Sequence, residues 1–216
     1  TCRVRVATRR VPRARAPGFT GLAIVTLGLG IGANTAMFSV LNGILLKPLP
    51  YPESAQLERL FRSTPQNPVG FFSPADWRDF QDARAAYGDA AAFTATHTSL
   101  SDAGQPAEMA YAGRCSINLL LLLGVSPQLG RDFRAGEDVP GHDRVVILSQ
   151  RVWMNRFGGN PNAIGRTLRI DGESHQIIGV LPATFNDWRH LGMIDFFRPL
   201  AFTPEQAADR HGTLLR

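Results

Sequence analysis

The chain has 216 residues, 44% hydrophobic and 19% charged, with a formal net charge of +5. The charged share is below the roughly 25% usual for soluble domains, and the balance excludes a disordered chain, a collagen-like repeat and a protein that crosses the membrane many times. Cys2 and Cys115 are the two cysteines, too few for a disulfide-dense scaffold or a zinc site built on several thiolates.

Residues 1–15 hold six arginines (Arg3, Arg5, Arg9, Arg10, Arg13 and Arg15) and no acid. Setting those six aside from 23 leaves 17 basic residues against 18 acidic ones. The excess is a basic arm, residues 1–17, and not the basic face of a folded domain that nucleic acid requires. A solvated or lipid-facing tail is expected there, and no nucleic-acid partner.

From Ala16 to Leu46 no residue is charged. Crossing a bilayer takes roughly 20 helical residues, so residues 18–47 are predicted to form a transmembrane helix. A cleavable signal has an apolar stretch of only about 7–15 residues; this run is longer, and no small-x-small site ends it. A soluble helix of this length would show a charged face. Gly28-Leu29-Gly30-Ile31-Gly32-Ala33 formally fits a dinucleotide loop, with Glu53 at the distance of a ribose acid. That loop needs a strand–helix–strand unit around it, and Pro48, Pro50 and Pro52 stand where its second strand would form. No cofactor is expected.

Gly28, Gly32 and Ala36 lie four apart on one helical face, a spacing that lets two helix backbones approach in lipid. Asn34 and Asn42 are placed to hydrogen-bond across such a contact. The arginines outweigh Lys47, so the N-terminus is expected in the cytoplasm and residues 48–216 outside it. Cys2 and Cys115 then lie in different compartments. Pro48, Pro50 and Pro52 stop the helix and make a stiff exit.

Beyond the exit, Leu57–Phe61 reads as a short strand. Ser73-Pro74-Ala75-Asp76 reads as a helix start, with Trp77 and Phe80 facing the core. Asp76, Asp79 and Asp82 lack the alternating loop ligands and glycine turn of a calcium site, and read as a solvated face. Ala90–Leu100 and Ala107–Cys115 are predicted strands around a turn at Ser101-Asp102-Ala103-Gly104. Ile117–Leu123 reads as a short buried helix stopped by Gly124. Arg144–Leu148 reads as a strand, and Ser149 as the cap of a helix, Gln150–Phe157, whose Trp153 and Phe157 face the core. Thr167–Ile170, Asp171-Gly172 and His175–Leu181 make a hairpin, and Phe196, Phe197 and Leu200 mark one more strand. The fold class is α+β: a transmembrane helix followed by a mixed outer domain of two subdomains.

No catalytic constellation emerges, and no enzyme is expected. His97, His142, His175, His190 and His211 are scattered without metal-ligand spacing. Ser149 reads as a cap and Cys115 as a small buried residue.

The segment GLGIGANTAMFSVLNGILLKPLPYP, within Phe19 to Pro52, resembles the first transmembrane helix of MacB-like and FtsX-related permeases of ABC transporters, most of all the acidobacterial type. Three later stretches are similar to the MacB-like periplasmic core domain, and in its order. They are FSPADWRDF (Phe72–Phe80), LGVSPQLGRDF (Leu123–Phe133) and EDVPGHDRVVILSQRVWMNRFGGNPNAIGRTLRIDGESHQIIGVLPATF (Glu137–Phe185). The resemblance covers residues 19–200 and implies a core domain over residues 48–205. It also implies a chain cut short after residues 206–216, since such permeases continue into further helices. CSINLLLL (Cys115–Leu122) departs from the family in being more uniformly leucine.

What the resemblance implies is transport without chemistry: an efflux-type permease in the bacterial inner membrane, partnered by a cytoplasmic ABC ATPase and by a second permease copy as a homodimer. Helix 18–46 and the exit Pro48–Pro52 would carry ATPase-driven motion outward. The alternative is a non-transport regulator of an envelope enzyme with the same architecture.

Overall fold

The computed structural model describes residues 17–42, 51, 56–63, 65, 70–83, 88–101, 107–185 and 191–210. The chain divides into two compact units, Thr1–Pro48 and Leu49–Arg216. The predicted turn at residues 102–104, the basic arm and Pro48, Pro50 and Pro52 lie outside the described residues, as do His190 and His211.

In the first unit, α1 spans Pro17–Leu41. Its side chains are exposed almost throughout; Leu29 is 69% and Ile31 65% accessible. The segment Gly18–Leu41 is long and apolar enough to cross a membrane by length and composition. Three polar side chains turn back on the helix. Thr26 and Thr35 hydroxyls donate to the carbonyls of Leu22 and Ile31, and the Asn34 amide donates to that of Gly30. Such bonds keep polar groups satisfied where water is absent.

In the second unit, α2 (Pro74–Asp82) begins as the sequence dictates. The Ser73 hydroxyl accepts from the Asp76 N–H and the Asp76 carboxylate accepts from the Ser73 N–H, a reciprocal capping box. Trp77 packs half-buried against the small cluster of Ala92 and Leu200, and stacks on Phe80. The predicted strand at Leu57–Phe61 does not form: the segment has no ladder, only one bridge beside it between Arg62 and Gly70. A short segment with apolar residues makes a strand only where a partner edge supplies hydrogen bonds.

The remaining elements are β1 (Phe93–Ser101), β2 (Glu108–Cys115), α3 (Leu119–Leu122), β3 (Leu129–Gly130), β4 (Val145–Leu148), α4 (Gln150–Phe157), β5 (Thr167–Ile170), β6 (Glu173–Val180), β7 (Phe196–Pro199) and α5 (Pro204–Ala208). The strands form one sheet in the order β3-β6-β4-β7-β2-β1-β5, and β5 also pairs with β6. That last ladder closes six strands into a ring, with β3 added along the far half of β6. The β2–β7 and β4–β6 pairs are parallel and the others antiparallel.

One apolar cluster draws on all six ring strands: Leu100, Ala110, Ala112, Val146, Leu148, Leu168, Ile170, Ile177, Val180 and Phe196. It therefore fills the inside of the ring. Val152, Trp153 and Phe157 of α4 close the end where β4 finishes. A second cluster, with Phe93, Cys115, Leu120, Ile147 and Phe197, lies on the outer side under α3. A bulge at Ile178, where the register to β4 shifts by one residue, changes which residues of β6 face inward. His175 and Ile177 face inward before it and Val180 after it. Two subdomains, expected from the sequence, are not distinguished among the described residues: the sheet interleaves strands from distant parts of the chain.

Local signals explain the connections. Asp171 (φ 50°) and Gly172 (φ 83°) both have positive φ, the two-residue turn that matches strand twist in a hairpin. The Ser149 hydroxyl accepts from the Val152 N–H and starts α4. After α3 the Gly124 and Val125 N–H groups donate to Leu121 and Leu120, a paired C-terminal stop. Leu119 and Leu120 are buried, but Leu121 is 78% exposed, so the leucine run is buried on one side only. Gly130 must be glycine: its φ is +79° and a Cβ would stand 2.2 Å from the Ile178 carbonyl oxygen.

Candidate functional site

Gly28, Gly32 and Ala36 follow one another at successive i+4 positions of α1, and no neighbouring atom lies within 4 Å of where a Cβ would stand at Gly28 or Gly32. The stripe leaves the helix backbone open to a partner at close range. Asn34 spends one amide proton on the Gly30 carbonyl, 3.0 Å away, and retains its Oδ1.

The exit contains an anchor that proline counting misses. Tyr51, between Pro50 and Pro52, is 6% exposed. Its ring centroid lies 6.1 Å from Phe185, and Phe185 meets Phe197 edge-on at 5.6 Å. An aromatic residue flanked by prolines is the sequence signal for it: the rigid backbone holds the ring in place at low entropic cost. The ring thus ties the start of the outer unit to β7.

Potential chemical groups elsewhere have structural roles. Asp76 accepts from Arg62 at 3.0 Å, and Asp79 accepts from Arg210 at 2.8 Å. Burial raises the Asp76 pKa, but the Ser73 bonds and the two arginines outweigh it and leave it below the usual carboxylate range. Cys115 is fully buried, and burial pushes its thiol up, away from the reactive thiolate. His97 packs on Tyr111 at 4.2 Å. Among the described residues no group of three His, Cys, Asp or Glu side chains is arranged to hold a metal. A cavity of about 430 Å³ opens beside the start of α4, lined by Arg151, Met154, Phe185, Met193 and Phe197 among others. Arg151 is held there by an ion pair with the buried Asp195 carboxylate.

The far end of the ring interior is polar. Arg114 follows Ala110 and Ala112 on the inward side of β2, Arg198 follows Phe196 on β7, and His175 precedes Ile177 on β6. Arg114 and Arg198 are register partners. In the sequence His175 reads only as one of five scattered histidines and the two arginines carry no motif; the signal is the period of two from each buried apolar residue.

Asp171 joins this end to β1. Its carboxylate accepts from the Thr98 hydroxyl at 2.6 Å and from the Ser99 N–H at 2.8 Å. Burial raises its pKa, but the Thr98 and Ser99 bonds, with Arg198 and His175, bring it below the ordinary value. A lowered carboxylate pKa gives stability that is present above the unfolded value of about 4 and lost as pH falls through the folded value. Asp171→Ala is expected to cost about 2 kcal/mol at neutral pH, from the two lost bonds and an alanine at positive φ. Denaturant midpoints measured at about pH 7 and about pH 3 should show the gap to wild type narrowing in acid. A gap that stays constant would remove the carboxylate from the account.

The chain thus joins a helix long and apolar enough to cross a membrane to a closed α+β ring. The chain belongs to the MacB-like periplasmic core domain family, whose model matches residues 20–215, so that helix and outer unit fall within one match. Solved structures similar to this chain include the periplasmic region of MacB from Actinobacillus actinomycetemcomitans, at 18% identity, TM-score 0.44, covering 56% of this chain and 55% of that one. The extracellular domain of the noncanonic ABC-type transporter YknZ from Gram-positive bacteria is similar at 16% identity, TM-score 0.46, covering 60% and 71%. A domain of a putative permease protein from Porphyromonas gingivalis is similar at 15% identity, TM-score 0.43, covering 59% and 61%. The chain thus spans about half of the MacB region that it matches. A comparison with curated protein sequences gave no match.

Proposed function

We propose that the chain is the membrane-anchored extracytoplasmic part of an export-type ABC permease and that it transmits ATPase-driven motion across the inner membrane without chemistry of its own. The observation that carries this reading is the single family match running through both α1 and the outer unit. Its partners are then a cytoplasmic ABC ATPase, the lipid bilayer and a second permease copy in a homodimer. The six arginines before α1 favour an N-terminus on the cytoplasmic side. Gly28, Gly32 and Ala36 give the helix a face on which to meet another helix. Pro48, Pro50 and Pro52 supply the stiffness, and Tyr51 the attachment: a displaced helix end pulls on Phe185 and Phe197 through a packed ring. Packed contacts pass discrete shifts where a loose tether would absorb them.

The test is distance measurement between spin labels at Ser126 in two copies, in lipid nanodiscs reconstituted with a candidate cytoplasmic ABC ATPase. Nucleotide binding should change the distance, and Tyr51→Ala should abolish most of that change while the ATPase still turns over. An unchanged distance in the wild type, or an ATPase that does not co-purify, would overturn the reading. Capture of an envelope enzyme in place of an export response would favour the regulator.

A further inference from the structure

The inside of the ring is apolar up to one end, where three nitrogen atoms break the rule that buried polar groups are paired. The Nε atoms of Arg114 and Arg198 and the Nε2 atom of His175 are buried, with no hydrogen-bond partner among the described residues. His175 is 0% exposed. All three side chains point inward by strand parity, and the two arginines are direct register partners. Two guanidinium groups side by side on adjacent strands repel one another, an arrangement that destabilises a sheet unless something lies between them. Arg114 spends one terminal nitrogen on the Ala201 carbonyl at 2.8 Å and leaves its Nε free. Burial and then Arg198 lower the Arg114 pKa, and Asp143 opposes them.

The nearby acids are committed elsewhere. Asp171 accepts from Thr98 and Ser99, and Asp143 accepts from the Gly141 N–H. Both side chains remain within electrostatic reach but neither bonds the orphaned nitrogens. The arginines and Asp143 are only half-buried, and Asp171 is exposed, so this end of the ring is open to solvent while the nitrogens behind it are not.

We propose that Arg114, Arg198 and His175 form a binding site for a small oxyanion, a carboxylate or phosphate group, at the polar end of the ring interior. The two free Nε–H groups are charge-assisted donors of the type that selects planar or tetrahedral oxyanions. His175 completes the set by taking up a proton. Its Nδ1 lies 3.1 Å from the Glu173 carbonyl, which only accepts, so Nδ1 carries a hydrogen and Nε2 of the neutral ring is a bare lone pair. Groups facing the ring are Arg198 from β7, Arg114 from β2, Asp143 ahead of β4, Asp171 at the hairpin and Glu173 on its own strand. Burial and then Arg198 hold its pKa below the ordinary value. An anion between the arginines cancels that repulsion and raises it. Binding therefore takes up a proton, and affinity rises as pH falls. The site is independent of the transport reading, since it rests only on the ring.

The test uses the full chain, ¹⁵N-labelled on histidine, in detergent micelles. Inorganic phosphate and succinate are titrated separately while the His175 Nε2 resonance is followed. A saturable shift toward the protonated position, tighter at about pH 6 than at about pH 8, supports the site. The probe that binds more tightly assigns the anion class. Arg198→Gln and Arg114→Gln should each weaken binding by about tenfold or more, while Arg166→Gln, whose guanidinium lies over the Phe157 ring at the end that α4 closes, should leave it unchanged. A resonance that moves with neither probe overturns the proposal without any variant. So does equal affinity in both folded arginine variants.

Discussion

Phe196→Ala is expected to remove about 3–5 kcal/mol of stability from the outer unit. Phe196 is 0% exposed inside the ring, level with Leu148 near the end that α4 closes. Its register neighbour on β2 is Ala112, with Ala110 also lining the interior, and small residues there make room for one large ring. Collapse into the void is limited, because every ring strand is held by a ladder on both sides. Net stability of a domain is commonly about 5–15 kcal/mol, so the loss takes a third or more of it. Phe196→Leu should cost less than half as much, since it keeps most of the volume. The measurement is the denaturant midpoint followed by near-ultraviolet circular dichroism in detergent. A midpoint within about 1 kcal/mol of wild type for the alanine variant would mean that the ring is not closed around this side chain.

Local chemistry made much of the fold legible. Ser73 and Ser149 cap helices because the cap bond spans three residues, and Asp171-Gly172 turns a hairpin because both positions tolerate positive φ. Partnership was not legible. Leu57–Phe61 has a strand-like composition but finds no ladder, whereas Phe196–Pro199 finds two. The parallel pairing of β2 with β7 joins residues more than 80 apart, and no turn signal announces it. That interleaving is why alternating strands and helices read as two subdomains. The polar end of the ring was hidden for the same reason: Arg114, His175 and Arg198 lie on three strands, and only inward parity connects them. Within Leu119–Leu122 the residue type is constant, so sequence cannot choose Leu121 as the exposed one; α3 packing does.

A second prediction concerns α1 and separates lipid from water by its sign. The double variant Leu29→Asp, Ile31→Asp is expected to abolish stable membrane integration. Both residues sit at the middle of Pro17–Leu41, where an aspartate costs about 2.5–3.5 kcal/mol on an insertion scale. Two such residues cost about 5–7 kcal/mol, roughly four powers of ten or more in the inserted fraction. In the chain itself Leu29 and Ile31 are 69% and 65% exposed, so the aspartates disturb no packing that the chain supplies. A helix that lived in water would accept them at little cost and gain solubility. The Leu29→Ala, Ile31→Ala control removes volume without adding charge and should stay integrated, because the rest of the span remains apolar. Alkaline extraction of membranes reads the difference: wild type and the alanine control should stay in the pellet, and the aspartate variant should be released or degraded. Release of all three alike would place α1 at a protein surface or interface in water, and the proposed anchor, the proposed orientation and the proposed transmission of motion through Tyr51 would fall together.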